Sequence, residues 1–219
     1  MYYTIRGLVL NSKVQGEYNK LITIYSYEWG KIQTVVQSAK RVAAKLSYAT
    51  EPLTESEFFI FNNNRYVRPK IIGAHILENN TKIKTDFKRN LYALYAAEIS
   101  DKLAPFNLVN VVKYNLMVRI WAILGVCMYP KRALSAFILR FLKLSGYGFL
   151  DYLKHGNAFI DKKIEQNIRK LSNCAGKDLD LLEEIEDDKV LNYVESYLTK
   201  YVRRPSLSIF LEEIDKNSK

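Results

Sequence analysis

Tyr3-Thr4-Ile5-Arg6-Gly7-Leu8-Val9-Leu10, Lys20-Leu21-Ile22-Thr23-Ile24-Tyr25-Ser26 and Ile32-Gln33-Thr34-Val35-Val36-Gln37 are three short apolar runs, rich in β-branched residues and separated by polar turns. That texture predicts strands: β-branched side chains fit a pleated surface, and runs this short leave no room for a helical period. Trp29-Gly30-Lys31 forms the turn into the third run. Two further runs, Phe58-Phe59-Ile60-Phe61 and Lys70-Ile71-Ile72-Gly73-Ala74-His75-Ile76-Leu77, are joined through the turn-forming Asn62-Asn63-Asn64. Five strands between Tyr2 and Leu77 predict a small closed or nearly closed barrel of the OB type, whose loops and one face commonly hold single strands.

Beyond Asn79 the period changes. Ile83, Phe87, Leu91, Leu94, Tyr95 and Leu103 fall on one helical face until Pro105 stops the run. A second helix is expected over 108–126. A third opens at Pro130, carries Leu134, Phe137, Ile138, Phe141 and Leu142 inward, and ends at Gly146. Further helices are expected over 160–171 and 189–203, with a short one opened by Pro205, and 172–188 reads as a loop with some helical character. The fold class is therefore α+β: an OB-type barrel over residues 1–80, then an α-helical domain over 81–219.

At 219 residues and 48% hydrophobic content the chain can bury a real core. Its longest uncharged apolar candidate, 116–129, is short and interrupted by Arg119, so no membrane span is expected. Arg6 and Asn11 break any secretory leader, which predicts a cytoplasmic protein with Cys127 and Cys174 as reduced, structural thiols, Cys127 within an apolar helix. The net charge of +10 is uneven. Residues 1–80 hold ten Lys/Arg against six Asp/Glu, residues 81–150 eleven against three, and the remainder twelve against fourteen. Such asymmetry suits a polyanionic partner, because each neutralised phosphate releases condensed counterions.

Ser38-Ala39-Lys40-Arg41-Val42-Ala43-Ala44-Lys45 places three cations among small residues after the third strand, where backbone can approach a phosphate chain. Tyr25, Tyr27 and Trp29 are aromatic candidates for stacking on bases, although core packing explains any single one of them more economically. Catalytic constellations are thin. His75 and His155 lie near no Ser or Cys arrangement that would activate a nucleophile, and Glu183-Glu184-Ile185-Glu186-Asp187-Asp188 lacks the spacing and turn glycine of a calcium loop. The acidic run reads instead as a solvated loop capping the helix near Lys189. Gly146-Tyr147-Gly148 is followed by no Lys-Ser/Thr pair, so no nucleotide site is expected.

Together, Gly7-Leu8-Val9-Leu10, Gly16-Glu17, Leu21, Tyr25-Ser26, Glu28, Gly30-Lys31, Val35, Ala39-Lys40-Arg41, Lys45-Leu46, Pro52-Leu53 and Phe61 resemble, in order and spacing, the bacterial recombination mediator family RecO. Ala133-Leu134, Phe137, Leu139, Leu142 and Gly146-Tyr147-Gly148 resemble its helix ending in a Gly-Tyr turn. The resemblance is strongest over 1–80, weaker over 83–150, and fades beyond 155. It implies an OB-fold domain and a helical domain without enzymatic activity. It also implies binding of single- and double-stranded DNA, annealing of complementary strands, and work with RecR and single-stranded-DNA-binding protein to load RecA recombinase. By position it assigns DNA contacts to Lys40, Arg41 and Lys45, and to Lys31.

Two departures from the family stand out. Many members carry a four-cysteine zinc module after the Gly-Tyr turn, whereas here Cys174 stands alone in that region, so no zinc is expected. The Arg that some members use for the acidic tail of single-stranded-DNA-binding protein is replaced by Ser135-Ala136, leaving Lys131, Arg132 and Arg140 as substitutes. The competing readings are an RNA-binding OB-type module and a metal-dependent nuclease built on Asp187 and Asp188.

Overall fold

β1 (Tyr2–Gln15) is long enough to pair twice. Residues 2–8 run antiparallel to β4 (Glu55–Phe61), while residues 7–15 run antiparallel to β2 (Asn19–Ser26), with a bulge between Val9 and Asn11. β3 (Gly30–Val36) pairs antiparallel with β2. β5 (Lys70–Glu78) pairs antiparallel with β4 and meets β3 in parallel at Val35↔Lys70 and Val36↔Ile71, which closes a barrel in the order β1-β2-β3-β5-β4. The computed structural model describes residues 1–17, 19–36, 44–62, 68–154 and 160–207.

Five strands were expected, and β1 and β4 prove longer than their apolar runs. The last five residues of β1, Asn11 to Gln15, are mostly polar and half-buried or exposed, so they carry no hydrophobic signal, yet they pair with β2. Ile5, Val9, Ile22, Ile24, Ile32, Val36, Phe58, Ile60 and Ile71 fill the barrel, each at most 5% exposed, with Leu46 packed against them. Leu46 comes from α1 (Ala44–Ala49), a short helix within a segment expected to be a loop.

The chain divides into two compact units. One comprises Met1–Thr81 together with Ala104–Asn115, a segment that the expected boundary at residue 80 places with the helices. Within this unit the outer wall of the barrel is also buried: Leu8 and Tyr25 are at most 1% exposed, and the Tyr25 hydroxyl reaches the Asn110 carbonyl at 3.5 Å. Burial pushes the Tyr25 phenol up to about 12.

The other unit comprises Lys82–Leu103 and Leu116–Lys219. The single helix expected from Ile83 is two: α2 (Thr81–Lys84) and α3 (Phe87–Leu103). Asp86 separates them, its Oδ1 accepting the Arg89 backbone N–H at 3.0 Å as an N-cap does. α4 (Val111–Leu124) ends before Cys127, which lies beyond the helix and is nonetheless buried. α5 (Pro130–Leu144) begins at the expected proline, and Leu134, Phe137, Ile138, Phe141 and Leu142 are all buried. α5 packs against α3 and against four later helical elements. These are α6 (Phe149–Lys154), α7 (Lys162–Asn173), a 3-10 turn (Gly176–Leu181) and α8 (Asp187–Leu198). The short helix expected to open at Pro205 would run past Leu207 and so lies largely outside the described residues.

Candidate nucleic-acid interface

The β3–β4 connection enters the described structure only at α1. Lys40 and Arg41 lie outside the described residues, and Lys45 is described only as a backbone position of α1. Lys31 is fully placed. It is 5% exposed, and its Nζ sits 4.1 Å from the centroid of the Phe106 ring. This expected phosphate contact is instead a buried cation packed under an aromatic face.

That packing depends on local backbone geometry. Residues 104–110 run back along β3, with Phe106 bridging Lys31 in parallel and the Asn107 N–H donating to the Lys31 carbonyl at 2.9 Å. Gly30 permits the approach. Its φ is +68°, and a Cβ there would lie 2.2 Å from the Leu108 carbonyl oxygen. The close approach leaves a cleft of about 320 Å³ on the barrel, lined by Trp29, Ile32, Gln33, Asn62, Arg68, Pro69, Phe106 and Asn107. Tyr3 packs edge-on against Trp29 at 5.1 Å and holds its ring. Phe106 remains 50% exposed.

Of the three aromatics expected as stacking candidates, Tyr25 is core, Tyr27 is exposed and packs edge-on against Tyr114, and Trp29 alone lines the cleft. The same unit contains a buried carboxylate: Glu55 accepts from Arg6 Nε at 2.6 Å and from the Tyr114 hydroxyl at 2.7 Å. Burial, reinforced by Glu55, pushes the Tyr114 phenol well above its ordinary range.

In the helical unit the acidic run is a loop over 183–186, with Glu183 and Glu184 exposed, and it leads into the N-terminus of α8 as expected, but its last residues are also paired. Asp187 and Asp188 open α8, where carboxylates suit the helix N-terminus. The Arg132 guanidinium holds both Asp187 oxygens, at 3.0 and 3.2 Å, and also donates to the carbonyls of Leu179 and Leu182. Lys131 pairs with Asp188, and Glu186 with Lys163 and Lys189. These pairings make Arg132 an internal strut at 4% exposure. They also commit the two carboxylates of the nuclease reading to cations. Among the described residues there is no group of three or more His, Cys, Asp or Glu that could hold a metal ion.

Arg140 is placed differently. It donates to the Leu171 carbonyl at 3.1 Å and to that of Cys174, satisfying the C-terminus of α7, and burial lowers its pKa. It also borders a second cavity of about 320 Å³ with the exposed Arg119 and an apolar wall of Leu116, Ile120, Ile123 and Phe137. Phe106, Asn107, Arg68 and Arg119 did not emerge from sequence as site residues. Pro105 was read there only as a helix stop, and a lone arginine in an apolar helix announces no pocket.

Residues 1–70 match the family described as Recombination protein O N terminal. Curated relatives carry the name DNA repair protein RecO. That of Mycoplasma mycoides is 30% identical over 123 residues, covering 54% of this chain and 49% of the relative. The Oceanobacillus iheyensis protein is 29% identical, covering 47% and 39% respectively. The Listeria monocytogenes protein is 26% identical over 140 residues, covering 64% and 54%. The chain thus spans about half the length of the curated relatives it matches. Among the described residues, no helix is long and apolar enough to cross a membrane.

Proposed function

We propose that this chain, whose residues 1–70 match the family described as Recombination protein O N terminal, is a member of that family and acts in DNA repair and recombination as a non-enzymatic mediator that binds single- and double-stranded DNA and anneals complementary strands. The observation that carries the reading is the closed five-stranded barrel whose β3–β4 connection holds Lys40, Arg41 and Lys45. OB barrels present such loops to single strands. Cations there neutralise phosphates without reading sequence, which suits a protein that must accept any strand and leave its bases free to pair.

RecR and single-stranded-DNA-binding protein are the partners this role calls for, with RecA loading as the outcome. For the acidic, apolar tail of the latter, the cavity bordered by Arg119 and Arg140 fits better than Arg132, whose guanidinium is already engaged. The function is exercised in the cytoplasm, with neither zinc nor nucleotide.

The test is to replace Lys40, Arg41 and Lys45 with Ala and measure binding of single-stranded DNA against salt. Affinity should fall about equally for all sequences. If all three cations touch phosphates, the slope of log affinity against log salt should become shallower by about 2, at roughly 0.7 per phosphate on a single strand. A folded mutant keeping both wild-type affinity and wild-type slope would overturn the assignment of this loop. RNA of the same sequence, run in competition, separates the DNA reading from that of an RNA-binding module.

A further inference from the structure

We propose that the cleft between β3 and residues 104–110 is a subsite for one nucleobase of the bound single strand. The proposal rests on the DNA-binding reading above, and adds what that reading leaves open: where a base sits and which side chains hold it. Four features of the cleft carry it. First, two aromatic rings line it, and both are held in place. Trp29 is braced edge-on by Tyr3, and Phe106 is seated over the Lys31 ammonium while half of the residue stays exposed. Preset rings lose little entropy when a flat ligand stacks on them.

Second, the polar part of the lining is made of amides. Gln33, Asn62 and Asn107 each offer both a donor and an acceptor, which matches the mixed edge of a base. A purely apolar ligand would leave these groups unpaired, and a carboxylate or phosphate alone would leave the rings unused. Third, Arg68 stands in the same lining and provides a cation for the phosphate attached to that base. Fourth, at about 320 Å³ the cleft lies near the lower end of the range for small-ligand sites, ~300–1,000 Å³, room for one base and not for a stack. The chemistry is that of single-stranded binding surfaces, where aromatic faces accept bases of any identity beside a cationic track.

The experiment compares the full chain with its Phe106→Ala and Phe106→Tyr variants. Each is titrated with oligothymidylate and with an abasic strand of equal length, which keeps the phosphates and removes the bases. Trp29 emission is followed in parallel, with Trp29→Phe to assign the signal against the buried Trp121. Wild type should prefer oligothymidylate, and its emission should be quenched. Phe106→Ala should lose about 5- to 150-fold on oligothymidylate, the worth of one stacked base, and nothing on the abasic strand. Phe106→Tyr should restore the preference.

Equal losses on both strands would make Phe106 a structural residue only and overturn the subsite. Unchanged oligothymidylate binding by Phe106→Ala, or quenching that survives Trp29→Phe, would overturn it while leaving DNA binding by the protein intact. Failure of wild type to bind either strand would remove the DNA-binding reading, and the subsite with it.

Discussion

Replacing Gly30 with Ala tests whether residues 104–110 are a built part of the barrel. Two costs are separable. The first is conformational: φ at Gly30 is +68°, and an L-residue held in the left-handed region costs roughly 1–2 kcal/mol. The second is steric. A Cβ at Gly30 would sit 2.2 Å from the Leu108 oxygen, 2.5 Å from its carbonyl carbon and 3.0 Å from its nitrogen, all backbone atoms with no soft rotamer to yield. The segment has to withdraw. That strains or breaks the 2.9 Å bond from Asn107 to Lys31, worth about 1 kcal/mol, and loosens the cover over Tyr25. The named terms come to about 2–3 kcal/mol, and the loosened cover adds to them. Gly16 is the internal control, since its φ is also +68° but nothing lies within 4 Å of its Cβ position, so Gly16→Ala should cost only about 1–2 kcal/mol. Urea unfolding followed by Trp29 emission reports on this unit, and the midpoints compare directly if the slopes match. Equal costs at Gly30 and Gly16 would refute the packing argument. The base subsite would then lose its foundation too, because Phe106 would have no fixed seat.

Two further predictions concern the helical unit. Glu98 accepts from the Ser206 N–H at 2.7 Å, the Ser206 hydroxyl at 2.8 Å and the Leu207 N–H at 3.1 Å; partial burial opposes its charge, but these donors and Lys102 outweigh it and hold its pKa below the ordinary value. A depressed carboxylate stabilises the fold fully above its unfolded pKa of about 4.3, and that contribution is lost as pH falls through the lower folded value. Glu98→Gln should therefore free residues 203–207 for hydrogen exchange at neutral pH and flatten the acid limb of the stability profile; an unchanged limb would assign acid sensitivity elsewhere. Arg132→Ala leaves Asp187 and two carbonyls without their donor in a nearly dry setting, and a thermal melt should report a loss of about 3–5 kcal/mol. A loss below about 1 kcal/mol would mean that the pair is solvated and free for a partner after all.

The barrel was legible because its interior strands obey a local rule. Ile22, Ile24, Ile32 and Val36 are β-branched and inward, so composition and phase agree. Where hydrogen bonds alone make the strand, the signal vanishes. Residues 11–15 of β1 pair with β2 although none of them is buried and Val14 is their one apolar side chain, so no hydrophobic pattern marks them. The break at Asp86 was lost for the opposite reason. The apolar period from Ile83 to Leu103 continues across it in sequence, and neither the cap at Asp86 nor the exposure of Phe87 at the start of α3 leaves a mark on that pattern. Within the run 183–188, Glu183 and Glu184 stay exposed as their charge suggests, whereas Asp187 and Asp188 are held by Arg132 and Lys131, distant in sequence.

The cleft shows why site residues resist sequence reading more than cores do. Trp29, Gln33, Asn62, Arg68 and Phe106 belong to no common period, and each alone is better explained as a turn, an edge or a surface residue. What joins them is a return of chain along β3 that only one glycine permits. Gly30 was visible from the start, but as a turn former, and a turn needs only its positive φ. The further requirement, that no Cβ exist where Leu108 passes, comes from a residue far along the chain and has no local trace. Lys31 illustrates the converse. In sequence it extends the basic character of the N-terminal segment, and in the fold the return of Phe106 over its ammonium converts it from a phosphate contact into the support of an aromatic platform. Charge at a position thus indicates what a side chain can do, and the neighbours brought by topology decide which of its uses remains.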